Sequence, residues 1–296
     1  MSQAPYAERA ITLTFQLGKG SFGGGGSDTL TIAGLRAVVH VELVLLPGTG
    51  VGIIRVYGMT LNHMNALSKA GLVYGARNNY VAVQAGDAQS GMTTVFNGTI
   101  IEAYPDMREM PNTAFFIRAS PSQVIQLKPV APVSFSGATP VPTALNSILK
   151  GTGFTLENGG VNTVLSSPYF PGAAWSQILS CVRAANCFAH LDPIKKVLAI
   201  WPKDGSRGGG TPEIGPDTGM IGYPEFQARQ IRVRARFDPA IRSSVGSNIR
   251  INSQLQAANG EFVVNYLTYD LASQMPDGPW DMMIEATPVT GGASTK

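Results

Sequence analysis

Charge is what this sequence has least of. Asp, Glu, Lys and Arg make up 14% of its 296 residues, well below the roughly 25% of an average soluble domain. A surface so poor in charge suits burial in an assembly better than life as a free monomer. The formal net charge of +3 is too small to argue for a nucleic-acid binder, because counterion release needs several clustered cations. Cysteine and histidine are scarce as well: Cys181 and Cys187, His40, His63 and His190. The two cysteines lie six apart in a segment that reads as helical, which sets them on opposed faces and too far apart for an easy bridge. With no further thiol and the histidines scattered, no metal site is spelled out, and no cofactor is expected. The start, MSQAPYAERA, lacks a basic stretch followed by an apolar run, so no secretory signal is expected. The apolar-rich stretch 43–57 is interrupted by Pro47, Gly48, Gly50, Gly52 and Arg55. It reads as a hairpin or two strands, without stable membrane insertion.

Catalytic signatures are missing too. No G-x-S-x-G, H-E-x-x-H or Cys-plus-His pattern occurs, and the acids are scattered, mostly in turns or on polar strand faces. No catalytic residue is nominated, and the chain is not expected to be an enzyme. Trp175 and Trp201 sit on apolar faces and Trp280 at a strand start; all three read as core or edge anchors rather than a sugar platform.

What the sequence has in quantity is glycine, 34 residues, and proline, 20. One glycine-rich stretch, FQLGKGSFGGGGSDTLTI from Phe15 to Ile32, contains G-x-G-x-x-G at Gly18–Gly23. A nucleotide cradle needs a strand entering and a helix leaving, so that the helix N-terminus meets the pyrophosphate. Residues 11–17 alternate as a strand, but so do residues 28–32. The stretch therefore reads as a β-hairpin with a mobile glycine tip, and Phe22 and Gly24 in that tip are candidate partner contacts. Lys19 is followed by Gly20 rather than Ser or Thr, which excludes a P-loop.

Alternating segments organise the chain into three parts. Residues 1–116 read as a first β-barrel unit, with strands near 11–17, 29–32, 37–46, 52–57, 80–85 and 94–104 and one short helix capped by Thr60. Residues 117–218 read as an α+β middle domain. Its first helix is opened by Val141-Pro142 and ended by Gly151; its second begins near Ala173. Residues 203–212 then read as an exposed linker. Residues 219–296 read as a second β-barrel unit with a flexible tail. The fold class expected is mainly β, with two related barrels and an α+β middle domain. In the strand 230–237, period two sets Arg232, Arg234 and Arg236 on one face and Ile231, Val233, Ala235 and Phe237 on the other. The three arginines are candidate interaction residues. At least two of the three should pair with carboxylates, with Glu261, Asp270, Asp281 and Glu285 as candidates, or be buried between subunits, because like charges at this spacing repel.

The order of several words resembles one family. These are Ile53-Ile54-Arg55-Val56-Tyr57-Gly58-Met59, Val83-Gln84-Ala85-Gly86-Asp87, Val95-Phe96-Asn97-Gly98-Thr99-Ile100, Pro168-Tyr169-Phe170-Pro171-Gly172, Leu198-Ala199-Ile200-Trp201-Pro202-Lys203, Asp217-Thr218-Gly219-Met220-Ile221-Gly222-Tyr223-Pro224 and Pro276-Asp277-Gly278-Pro279-Trp280. Together they resemble the central baseplate hub proteins of tailed bacteriophages, in particular those of Mu-like phages with compact baseplates, over nearly the whole chain. The resemblance implies a structural homotrimer in the virion tail baseplate, assembled in the host cytoplasm. Two similar barrels per chain would make six around an axis, joining a sixfold tail tube to a threefold spike. The implied partners are the tail-tube protein, a tail spike or tip protein, baseplate wedge or ring proteins and the tape-measure protein, with DNA passing through the lumen without specific binding. The alternative is a cell-wall-binding or wall-degrading tail component with a sugar cleft in the middle domain.

Overall fold

The computed structural model describes residues 8–23, 26–68, 78–108, 110–237 and 245–289. Strict alternation builds the first strands. Ile11, Leu13 and Phe15 of β1 (Ala10–Gln16) are buried while their neighbours are not, and β3 (Ala37–Val44) repeats the pattern through Val39, Val41 and Leu43. Between them lies β2 (Thr29–Ala33), and after them β4 (Val51–Tyr57). A short helix α1 (Leu61–Ser68) follows, buries Met64 and Leu67, and has Thr60 Oγ1 accepting from the His63 N–H at 3.3 Å. Strands β5 (Tyr80–Asp87), β6 (Gly91–Asp106) and β7 (Ala114–Ser120) complete this part.

The middle part is mixed. In order it holds α2 (Gln123–Leu127), β8 (Val133–Ser134), β9 (Ala138–Pro140), α3 (Val141–Leu149), β10 (Thr155–Asn158), β11 (Val164–Ser166), β12 (Tyr169–Phe170), α4 (Ala174–Ala185), β13 (Cys187–Asp192) and β14 (Val197–Pro202). Proline in the first turn opens α3, and left-handed Asn186 (φ 50°) ends α4,. The apolar stripes of α3 and α4 pack on the sheet β10-β14-β13 to form a core of their own. Cys187 therefore belongs to a strand and not, as expected, to the helix that carries Cys181; both thiols are free and buried. The last part holds β15 (Glu213–Ile214), β16 (Met220–Gln227), β17 (Gln230–Arg236), β18 (Asn248–Ile251), β19 (Gly260–Ser273) and β20 (Trp280–Pro288).

The first and last parts form one thirteen-stranded sheet, ordered β16-β17-β20-β19-β3-β4-β7-β6-β5-β1-β2, with β18 on β19 and β15 on β18. The junction is the antiparallel pair β3–β19, from Val44↔Tyr266 to Ala37↔Ser273. One hydrophobic core runs through both parts. The expectation of two separate barrels is corrected here: among the described residues no strand pair closes either part into a barrel. Alternation fixes which face of β3 is buried, but does not say which strand lies along its edge.

Gly98 of the matched words, and Gly52 just before Ile53, are required by packing. A Cβ on Gly52 or Gly98 would lie 2.6 or 2.7 Å from the ring of the fully buried Phe96, so both strands press directly on that ring.

Candidate functional site

Strand β17 presents the arginine row as its alternation dictates, with Ile231, Val233 and Ala235 in the core and the arginines on the open face. The neighbouring strand β20 supplies the acids, Glu285 directly opposite Arg232 and Asp281 diagonal to Arg234. Arg232 holds Glu285 at 2.6 Å, and Arg234 holds Asp281 at 2.5 Å. Glu225 on β16 approaches Arg232 at 3.6 Å. These contacts raise both arginine pKa values, the hydrogen bonds to Glu285 and to Asp281 being the leading causes. Arg236 lies opposite Asp281 in the ladder. Of the other acids named from sequence, Glu261 pairs with Arg250 at 2.6 Å and Asp270 with His40 at 2.7 Å.

That last pair crosses the β3–β19 junction. His40 bridges Asp270 through Nδ1 and Glu42 through Nε2, at 2.7 and 3.1 Å. Burial pulls the His40 pKa down, but the two carboxylates outweigh it and the net shift is upward. The open face of the sheet thus carries charges of both signs, joined across strands.

The glycine stretch is a hairpin. β1 pairs antiparallel with β2 from Thr12↔Ala33 to Gln16↔Thr29, and the pairing continues through Leu17 N–H to Asp28 O and Phe22 N–H to Ser27 O, both 2.8 Å. A strand leaves the glycines, so among the described residues this stretch has no helix N-terminus of the kind a pyrophosphate requires,. Phe22 packs partly against the core, its ring edge-on to His63 at 6.0 Å. Gly24 lies outside the described residues.

A buried polar cluster sits where the middle part meets the large sheet, and sequence reading missed it. Arg207, in the segment expected to be an exposed linker, has a side chain only 3% exposed. Its guanidinium bonds Glu157 on β10 through Nε and Nη2 and reaches Asp192, the last residue of β13, at 2.9 Å. Its own N–H donates to Gly246 O at 2.7 Å. The Asp192 carboxylate also accepts the N–H groups of Ile194 and Lys195, each at 2.9 Å. Burial opposes the charge of Asp192, but the Lys195 N–H and Arg207 outweigh it and hold its pKa low. The hydrogen bond from Arg207 is the first cause of the lowered pKa of Glu157.

Two residues earlier, His190 donates from Nδ1 to Val44 O at 2.9 Å, beside a bond from Leu46 N–H to Ala189 O at 2.8 Å. These two bonds clasp β13 to the chain leaving β3. Burial drives the His190 pKa down to about 4, so the imidazole is neutral at pH 7. Trp201, fully buried, lies over Gly246, where a Cβ would meet its ring at 2.5 Å. It belongs to the core of the large sheet although its strand, β14, belongs to the middle sheet. No motif marks this junction: the Ser-Arg-Gly-Gly-Gly run around Arg207 has the composition of a loop.

An open cleft of about 390 Å³ lies in the middle part, lined by Asn162, Thr163, Asn186, Cys187, Lys203 and Asp204 among others. No aromatic ring lines it, so it offers a sugar no stacking surface. Among the described residues no group of three or more His, Cys, Asp or Glu is arranged to hold a metal ion. No described helix is long and apolar enough to cross a membrane.

A family model described as baseplate hub gp41 matches residues 54–280. No curated protein matches the sequence. Among solved structures, the fold is similar to a tail protein from Neisseria meningitidis MC58, with a TM-score of 0.63 and 8% identity over 95% of this chain and 96% of that one. It is similar also to the 43 kDa tail protein of prophage MuSo2 from Shewanella oneidensis, with a TM-score of 0.60 and 8% identity over 94% and 96% of the two chains. A third likeness is to the E. coli c3393 protein, a type VI secretion component described as structurally similar to the T4 tail proteins gp27 and gp5; the TM-score is 0.59 and the identity 10%, over 86% and 73%.

Proposed function

This chain belongs to the baseplate hub gp41 family, and from that premise we propose that three copies of it encircle the tail axis as the hub of a phage baseplate. The hub joins the sixfold tail tube to the threefold spike or tip and surrounds a channel for the tape-measure protein and DNA. Residues 1–116 and 219–296 supply the two tube-facing units of each chain, six in the trimer, and residues 117–218 form a middle domain directed at the ring or spike proteins. The observation that carries this reading is the family match from β4 to the start of β20, which takes in strands of both halves of the sheet.

Two features support it. The chain is poor in charge, as expected of a surface largely covered by neighbours. The arginine row, read as facing the channel, is matched by Glu285 and Asp281, which removes the continuous cationic track that would hold DNA through its phosphates. Arg232, Arg234, Arg236, Phe22 and Gly24 remain the proposed contacts with partners. The chain acts by shape and assembly and not as an enzyme, in particles assembled in the host cytoplasm. Size-exclusion chromatography with light scattering tests the stoichiometry: a species of three 31.2 kDa chains is expected, and a monomer that cleaves or binds peptidoglycan would contradict it.

A further inference from the structure

Arg232 and Arg234 meet carboxylates on the open face of the large sheet, but three arginines elsewhere on that face do not. Arg55 on β4 and Arg118 on β7 are exposed, and Arg36 precedes β3 opposite Tyr57, whose N–H its carbonyl accepts at 3.0 Å. None of the three forms an ion pair with the described residues. The acids around them are mostly engaged, Asp106 by Arg108 at 2.6 Å and both Glu42 and Asp270 by His40. Glu102 lies opposite Arg118 in the ladder and forms no ion pair. Among the described residues of β3, β4, β7 and β6, this face therefore sets three unpaired cations against one unpaired acid.

The three arginines form a line. Arg55 is diagonal to Arg36 across the β3–β4 pair, and Arg118 is diagonal to Arg55 across the β4–β7 pair, a step of about 7–8 Å each time. Two of the guanidiniums are laid on rings: Arg36 sits 4.3 Å from the Tyr57 centroid and Arg55 5.8 Å from that of Phe116. Phe116 packs in turn against exposed Tyr104, with the centroids 5.0 Å apart. A guanidinium held on a ring is fixed in place, while the N–H fork along its edge stays free to take a carboxylate bidentately.

We propose that the row Arg36, Arg55 and Arg118 is the docking site for an extended acidic segment of a different protein, with carboxylates at every second residue. Side chains on one face of an extended chain recur at about 6.6–6.8 Å, close to the step between the arginines. Acids at i, i+2 and i+4 therefore meet the three guanidiniums together, as arginine clusters meet other acidic motifs. A second copy of this chain is not the occupant, because no two of its 19 acids stand two residues apart. DNA is not the occupant either: three cations fall short of the roughly six or more phosphate contacts of a DNA-binding surface. The inference stands whether or not the chain is trimeric.

The test uses the full chain and a fluorescein-labelled peptide in which three aspartates alternate with threonines, read by anisotropy at low salt. A second peptide has the same composition with its aspartates contiguous. The alternating peptide should bind at least about fivefold more tightly than the contiguous one, and Arg55→Gln and Arg118→Gln should each weaken it about tenfold, the loss of one charge-assisted hydrogen bond. Both variants should keep the circular dichroism spectrum of the parent. Lys150→Gln, which removes an exposed cation of the middle part, should leave the affinity unchanged. Equal affinity for the two peptides, no binding of either, or an equal loss in Lys150→Gln would overturn the proposal. A single-stranded oligonucleotide of the same charge that binds more tightly than the peptide, and loses affinity in Arg55→Gln, would assign the row to nucleic acid and overturn it too. None of these outcomes changes the copy number of the chain, so failure here is distinct from failure of the trimeric reading.

Discussion

Arg207→Met preserves most of the length of the side chain and removes its charge, leaving the Asp192 carboxylate, only 6% exposed, without the guanidinium 2.9 Å away. Breaking a buried ion pair from one side costs about 3–5 kcal/mol. The lower end applies here, about 3 kcal/mol, because Asp192 keeps the N–H groups of Ile194 and Lys195 and Glu157 is a third exposed. The loss is large against a total stability of roughly 5–15 kcal/mol. Urea unfolding at pH 7, followed by tryptophan fluorescence and circular dichroism, reads it. The pH dependence adds a second condition. In the parent, the depressed Asp192 pKa contributes stability that is present above the unfolded value near ~3.9 and is lost as pH falls through the lower folded value. In the variant the buried carboxylate loses its counter-charge and its pKa rises. Protonation on acidification then removes the buried charge, so the deficit should shrink between pH 7 and 5. A deficit below about 1 kcal/mol, the size of an exposed pair, or one unchanged with pH, would refute the reasoning.

The clasp at His190 has its own pH signature. A folded pKa of about 4 against about 6.5 unfolded means that its contribution is complete above pH 6.5 and declines by roughly 3 kcal/mol as pH falls toward 4; His190→Gln should flatten the fall of melting temperature between pH 7.5 and 5, and parallel slopes would count against the clasp. Gly246→Ala places a Cβ 2.5 Å from the Trp201 ring at a φ of +89° and should cost about 3 kcal/mol in thermal or urea unfolding, whereas Gly210→Ala, with open space around it, should be close to neutral. Equal effects of the two substitutions would show that Trp201 does not pack as described. Calorimetric titration with ATP and with NAD should give no micromolar binding at the Gly18–Gly23 hairpin; binding lost on Gly20→Ala or Gly23→Ala would restore the nucleotide reading.

Strands were legible because alternation is a local signal. Residues 11–17 and 230–237 show it, and the structure buries the faces that their sequences select. The position of α3 followed equally from Pro142 at its start and Gly151 beyond its end. Adjacency was not legible. Nothing in the sequence of β3 or β19 says that they pair across more than two hundred residues, and two units joined by such a pair read as two separate barrels. The polar junction was illegible for a related reason. Arg207 sits among glycines and serine, so its surroundings read as solvent-exposed, while the acids that bury it lie 15 and 50 residues away, at the ends of strands in another sheet. The arginine row lay between these cases: its face followed from period two, and its partners Glu285 and Asp281 followed once an adjacent acidic strand was supposed, but their registration with Arg232 and Arg234 needed the fold.

The place and number of this chain in the particle decide whether it is a trimeric hub. Quantitative mass spectrometry of purified virions, calibrated against the tail-tube protein, is expected to find three copies per tail, all lost from particles stripped of their baseplates. Its absence from purified virions, or a copy number of six or more that remains with the tube after stripping, would contradict a trimeric hub.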